Sequence, residues 1–250
     1  MRWQQVILIG MIGSIATLAV IVWLVFQGVF DKPLPSPKLT DQQRQALHGD
    51  TVVGFDAYVA GDYERAIAYL LPRAQAGDHF AQYRVGLMYG KGTGVKENQN
   101  TSMDWYQLAA AAGNTKAIYN IGLRYFEGKD VPKDLVRAIE FWHRSASLGH
   151  IPSQNNLAVA YLKLEKTPEY HRQGIYWLTK AAESGSFQAQ NSLAVEYLLG
   201  ENIKRNPTHG FYWNQLAIGN GSLRAVILSP IFYMFTSRSE RRDAVARIER

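Results

Sequence analysis

The chain contains no cysteine. That excludes a disulfide scaffold, a zinc–thiolate site and a thiol nucleophile, and leaves the redox compartment open. Charge is sparse too, at 19% of residues, and the net excess of +6 is not gathered into a patch or stripe. Arg2 supplies one unit of it, and the tail from Ser237 to Arg250 sets five arginines against three acids. A nucleic-acid interface concentrates its cations, so nucleic acid is not an expected partner. No HExxH, GxSxG or SxxK string occurs, which removes the usual signatures of zinc hydrolysis and serine acyl transfer. The expectation is a protein that is not an enzyme, with no catalytic residue, metal ligand or cofactor.

Apolar side chains, by contrast, make up 47% of the 250 residues, with 6 Trp, 14 Tyr and 10 Phe. This is too apolar and too aromatic for a disordered chain, and long enough for one large domain or two small ones.

Part of that apolar content sits at the amino terminus. Val6–Phe26 is a run of 21 residues without a charge. As a helix it spans roughly 30 Å, one bilayer core. Residues 1–30 therefore read as a single transmembrane helix acting as a signal anchor. A cleaved signal peptide competes, but its apolar region is shorter and ends at small residues. Here Thr17-Leu18-Ala19 is a weak cleavage site, and the run ends in Trp23-Leu24-Val25-Phe26. Arg2 before the span, against Asp31, Lys32 and Lys38 after it, hardly sets an orientation. A short tail ahead of a large domain makes the amino terminus cytoplasmic. In a bacterium that means a single-pass inner-membrane protein with its main domain in the periplasm. Residues 31–42 follow as a linker in which Pro33, Pro35 and Pro37 resist helix and sheet. It reads equally well as a polyproline stand-off or a disordered tether.

Residues 43–236 carry an internal period. Gly77, Gly113, Gly149, Gly185 and Gly221 recur every 36 residues. Tyr89, Tyr125, Tyr161, Tyr197 and Tyr233 keep the same step, as do the small residues Ala81, Ala117, Ser153, Ala189 and Ala225. Tyr69, Trp105, Phe141, Trp177 and Trp213 form an aromatic series. Each period holds two helical apolar patterns. Ala117, Ile121, Gly122 and Tyr125 share one face of the first, and Leu135 to Leu148 forms a second that buries Ala138, Phe141, Trp142 and Ala146. The recurring glycine lies where a helix end needs a left-handed residue. A lone helical hairpin cannot bury its own face, so the units must stack as a solenoid. Edge units deviate: Gly54 to Ala66 is a tighter hairpin, Pro230 interrupts the last first-helix, and Ser237 to Glu240 makes a capping box. The latter opens a basic capping helix over 237–250, with Arg241, Ala244, Val245 and Ile248 on its inner face.

Val85-Gly86-Leu-Met-Tyr89-Gly-Lys-Gly92-Thr-Gly94-Val95, followed by Trp105-Tyr106-Gln-Leu-Ala109-Ala110-Ala-Ala-Gly113, resembles a complete Sel1-like repeat. The resemblance loosens where Leu164 replaces the turn glycine and Ile203 the turn valine. It implies an all-α fold, a right-handed α-solenoid of about five 36-residue helix–turn–helix units related to tetratricopeptide repeats. It also implies a scaffold or adaptor that mediates protein–protein interaction, often at the bacterial envelope. The expected task is assembly, localisation or regulation of a secretion, polysaccharide-export or division machine. The alternatives are a peptidoglycan-binding accessory, a cell-wall enzyme, or a periplasmic signalling regulator.

Two motifs have simpler readings. Gly90 to Gly94 looks like a phosphate cradle, but Val95 and helical flanks make it a repeat turn. Glu140-x-x-His143 has the spacing of a carboxylate-bridged metal motif without a second copy. The recurring registers are packing, so function belongs where units differ. By analogy with the tetratricopeptide relatives, the first helix of each unit lines the concave side. Its variable registers are Tyr83, Tyr119, Asn155 and Asn191; Arg84, Asn120, Asn156 and Ser192; and Phe80, Lys116, Pro152 and Gln188. Amides pair with a peptide backbone, cations with carboxylates, and tyrosines give contact area at low entropy cost. A peptide segment of another envelope protein is the expected ligand.

Overall fold

A computed structural model describes residues 49–164 and 167–248; the apolar run Val6–Phe26, the linker and residues 43–48 lie outside them. Among the described residues there are twelve α-helices and no strand, the expected helical-repeat solenoid. None of these helices is long and apolar enough to cross a membrane. The described chain falls into two compact units, 49–164 and 167–248.

In the first unit α1 (Gly49–Ala60) pairs with α2 (Tyr63–Gln75), and α3 (His79–Lys91) with α4 (Gln99–Ala111). Next, α5 (Thr115–Glu127) pairs with α6 (Leu135–Ser147), on which α7 (Ile151–Lys163) lies. In the second unit α8 (Pro168–Glu183) packs on α9 (Phe187–Leu199), and α9 on α10 (Pro207–Gly219). Both α11 (Leu223–Phe235) and α12 (Arg238–Ala246) rest on α10.

The period of the sequence is a period of helix ends. Asp78, Asn114, Ser186 and Ser222 cap first helices, each accepting the amide three residues on. Asp62, Asn98, Asp134 and Asn206 do the same for second helices. The amides of Asn98, Asp134 and Asn206 also donate to the carbonyls of Tyr89, Tyr125 and Tyr197, at 2.9, 2.8 and 2.7 Å. That bond closes these three hairpin turns. Gly77, Gly113, Gly149, Gly185 and Gly221 have φ between 84° and 96°, the left-handed backbone expected of them. At the turn register the chain departs where the sequence does. Gly92, Gly128 and Gly200 are left-handed, whereas Leu164 is extended (φ −65°, ψ −178°). The boundary between the two units falls at that turn.

Small residues let helices approach. A β-carbon on Gly86 would stand 2.8 Å from the Tyr106 ring, and one on Gly122 would stand 2.7 Å from Trp142. The enclosed partner, however, lies one residue after the aromatic series. Leu70, Tyr106, Trp142 and Leu178 are 0 to 4% exposed; of the aromatic series Tyr69, Trp105 and Phe141 keep partial exposure, and Trp177 and Trp213 are 7% exposed. One residue turns a helix by about 100°, so only one of two adjacent positions points at the glycine. Stacking bonds reinforce the packing: Gln82, Gln154 and Gln190 donate to the carbonyls of Ala74, Ala146 and Ala182.

Pro230 does not interrupt its helix; α11 runs through it. Pro230 and Val226, whose carbonyl a proline four residues on cannot serve, both lie on the exposed side of the helix rather than in the core. Ser237 and Glu240 form a reciprocal capping box at the start of α12. That helix buries Ala244, while Val245 stays 36% exposed.

Candidate functional site

The first helices of unit 49–164 share one hollow of about 380 Å³. Thr51 and Phe55 come from α1, His79, Phe80, Tyr83 and Arg84 from α3, and Thr115 and Lys116 from the amino end of α5. Capping chemistry fixes this geometry. Asp78 caps α3 and also accepts the Thr51 hydroxyl at 2.7 Å, binding α1 to α3. Burial raises the Asp78 pKa, but the Thr51 and backbone hydrogen bonds outweigh it and hold the carboxyl below its ordinary value. Asn114 caps α5 and donates to the His79 carbonyl at 3.0 Å, binding α3 to α5.

Arg84 is held by aromatic faces. Its guanidinium lies 4.5 Å from the Phe55 ring centroid, 5.3 Å from Tyr58 and 5.7 Å from Tyr83. Burial lowers its pKa from the usual value. Lys116 keeps solvent exposure, yet desolvation and then the charge of Arg84 pull it below the ordinary lysine range. Neither cation forms an ion pair among the described residues. No acid lines the hollow.

Along the same face runs a ladder of tyrosine and asparagine. Asn156 donates to the Tyr119 hydroxyl at 3.3 Å, and Asn120 sits against the hydroxyls of Tyr83 and Tyr106. Burial raises the pKa of all three phenols. The Tyr119 ring centroid is 5.2 Å from that of His150, whose pKa burial and then Lys116 lower to about 4.

Of the expected groove residues, Phe80, Tyr83, Arg84 and Lys116 converge on the hollow. Tyr119, Asn120 and Asn156 belong to the ladder, and Asn155 is half-buried beside it in α7. Asn120 and Asn156 thus hold neighbouring helices as well as facing outward. Gln188 and Asn191 lie in the other unit. Gln188 is half-buried and accepts from Ser186 at 3.2 Å. Asn191 departs from its expected place on an open face: it is 1% exposed and exchanges hydrogen bonds with Ser222. Sequence reasoning missed Phe55, Tyr58, His79 and His150. The i, i+3 spacing of Phe55 and Tyr58 was the available signal, overlooked because that hairpin departs from the repeat. A second hollow of about 610 Å³ in unit 167–248 includes His171, Arg172 and Tyr176, but Arg172 is paired with Glu169. No three His, Asp or Glu side chains converge as metal ligands among the described residues.

Comparison with curated proteins returns no match. Among solved structures the chain is similar to a Sel1 repeat protein from Oxalobacter formigenes. The TM-score is 0.67 at 24% identity, over 78% of this chain and 82% of that one. It is also similar to c5321, a protective antigen of uropathogenic Escherichia coli with an SLR fold. That TM-score is 0.61 at 20% identity, over 94% of this chain but only 60% of the antigen. At these identities the likeness is one of fold. The Sel1 repeat pattern itself matches residues 53–78, 79–114, 115–150, 151–186 and 187–222, well over half of the sequence. With capped 36-residue hairpins on that same register, the chain belongs to the Sel1 repeat family.

Proposed function

We propose that this protein is a scaffold that holds a segment of another protein along the first-helix face of residues 49–164. The observation that supports this most directly is the hollow between α1, α3 and α5, where Phe80 is 53% exposed beside two cations that lack acid partners. Rigid helices present these groups at fixed spacing, and tyrosine adds contact area at little entropic cost. Such a face binds and orients; the reading is a holding role, not a chemical one. The uncharged run Val6–Phe26 is the tether. It fixes the scaffold to a bacterial inner membrane with the repeats in the periplasm, where it serves assembly or localisation of an envelope machine.

The test is photo-crosslinking in intact cells. A photoreactive residue replaces Tyr119 or Phe80 in the full chain, with Val136, 68% exposed on a second helix, as the control position. Adducts with one envelope protein at Tyr119 and Phe80, absent at Val136, are expected. Equal adducts at all three positions refute the face. Co-sedimentation with purified peptidoglycan, without protein adducts, replaces it with a glycan-binding role. Protection of the repeats from protease in spheroplasts refutes the topology.

A further inference from the structure

The hollow between α1, α3 and α5 is lined by two cations and no acid, and the neighbouring Asp78 carboxylate is committed to Thr51 and to the amides of Phe80 and Ala81. Resting on the reading of this face as a partner-holding surface, we infer that it takes the carboxylate of an Asp or Glu in an extended partner segment, with a neighbouring apolar side chain set against Phe80.

Three observations converge on that ligand. The first concerns Arg84. Phe55, Tyr58 and Tyr83 hold its guanidinium at 4.5 to 5.7 Å from their ring centroids. Aromatic faces orient a guanidinium without using its N–H donors, and those donors meet no acceptor among the described residues. An oriented fork with open donors matches a carboxylate. The second concerns Lys116, which lines the same hollow and, beyond its desolvation, feels the charge of Arg84. Like charges brought together by the fold repel, and an anion between them turns that repulsion into attraction. The amino end of α5, through Thr115 and Lys116, adds its dipole with the same sign. The third is Phe80. Its only described ring contact is His79 at 4.2 Å, and it is 53% exposed at the edge of the hollow. A small anion would satisfy the cations and leave that ring in water. An acidic residue next to an apolar one uses both.

The test is fluorescence anisotropy with the full-length chain in mild detergent. The probes are a labelled dodecapeptide containing Leu-Glu-Asp-Leu, its Leu-Gln-Asn-Leu counterpart, and an acidic peptide with Gly in place of Leu. The first binds about tenfold more tightly than the second, and the difference shrinks as salt rises. Lys116→Gln and Arg84→Gln each weaken the acidic peptides about fivefold. Phe80→Ala weakens the Leu-Glu-Asp-Leu probe and leaves the acidic peptide with Gly unchanged. Lys116 is exposed, so its variant keeps the test sound even if Arg84→Gln unfolds, which circular dichroism reports. Equal binding of the Glu and Gln probes overturns the inference. So does competition by inorganic phosphate at matched ionic strength as effective as that by the peptide. Should crosslinks at Tyr119 persist in the Lys116→Gln chain while the peptides fail to discriminate, the acidic ligand is wrong and the holding face survives. If no position crosslinks, the face itself is wrong.

Discussion

Gly122→Ala sets two effects of opposite sign against each other. In an open helix interior the change stabilises by about 1 kcal/mol, because glycine costs backbone entropy. In α5 the new β-carbon would stand 2.7 Å from both Cδ1 and Nε1 of Trp142 and 3.2 Å from the Ala138 carbonyl. The ring has nowhere to retreat: it is 2% exposed, and its Nε1 donates to the Tyr119 carbonyl. Overpacking of this kind costs about 1–3 kcal/mol and outweighs the propensity gain. The net loss reaches about 2 kcal/mol, or roughly 4–8 °C in the thermal midpoint of a chain this size at that limit. Far-UV dichroism of the full chain against temperature and urea measures it. The sequence supplies its own rescue, since the corresponding registers carry Ala158 and Leu178. Adding Trp142→Leu to Gly122→Ala recovers stability relative to the sum of the single changes, a coupling a double-mutant cycle reads. A raised midpoint for Gly122→Ala alone refutes the close-approach argument.

Three further outcomes follow from the same bonds. His150 occupies a capping register without a capping bond, and its pKa is lowered from 6.5 to about 4. The unfolded chain therefore binds more protons between those values, and stability falls as pH drops through that window, by about 2–3 kcal/mol. Lys116 and Tyr119 of α5 and Ser153 of α7 face this ring. His150→Asn supplies the cap and removes the titration, so the stability measured by urea titration rises at pH 7 by about 0.5–1 kcal/mol and depends less on pH from 6.5 to 4. Arg124, 8% exposed, donates to Gln99 and Ser102 across to α4. Arg124→Ala leaves that end of α4 unsatisfied and costs about 2–3 kcal/mol in urea titration. Asn191→Ala strands the buried Ser222 hydroxyl and costs about 1–2 kcal/mol, while peptide anisotropy stays unchanged.

The repeat fold was legible because it is written in chemistry that acts locally. A left-handed helix end selects glycine and a helix start selects Asp, Asn or Ser, so Gly113 and Asn114 mark their positions without reference to the rest of the chain. What depends on a neighbour was not legible. Asn155 and Asn191 share one register and residue type, yet Asn191 is 1% exposed and bonded to Ser222 while Asn155 is half-buried. Tyr106 and Trp105 are both aromatic; only the azimuth of α4 decides which meets Gly86. Arg124 stands where other repeats carry Met88, Ala160 or Glu196, and its buried charge is met by Asp130 at 3.4 Å and by acceptors on Gln99 and Ser102. The hollow was half legible: its cations were visible, but the α1 rings that hold Arg84 lie in the short first unit, 53–78, which does not keep the 36-residue spacing.

The closing bonds at Asn98, Asp134 and Asn206 make one period a unit of construction. Removing residues 115–150 joins Asn114 to Ile151, so an asparagine cap takes the place of His150 at the start of the next helix. Gly122 and its partner Trp142 leave together, and no half of that pair is left without the other. The bonds from Arg124 to Gln99 and Ser102, which cross from one period to another, are lost. Lineages that lengthen or shorten such a chain by whole periods inherit intact turns at every junction, and adapt only the few side chains that reach across.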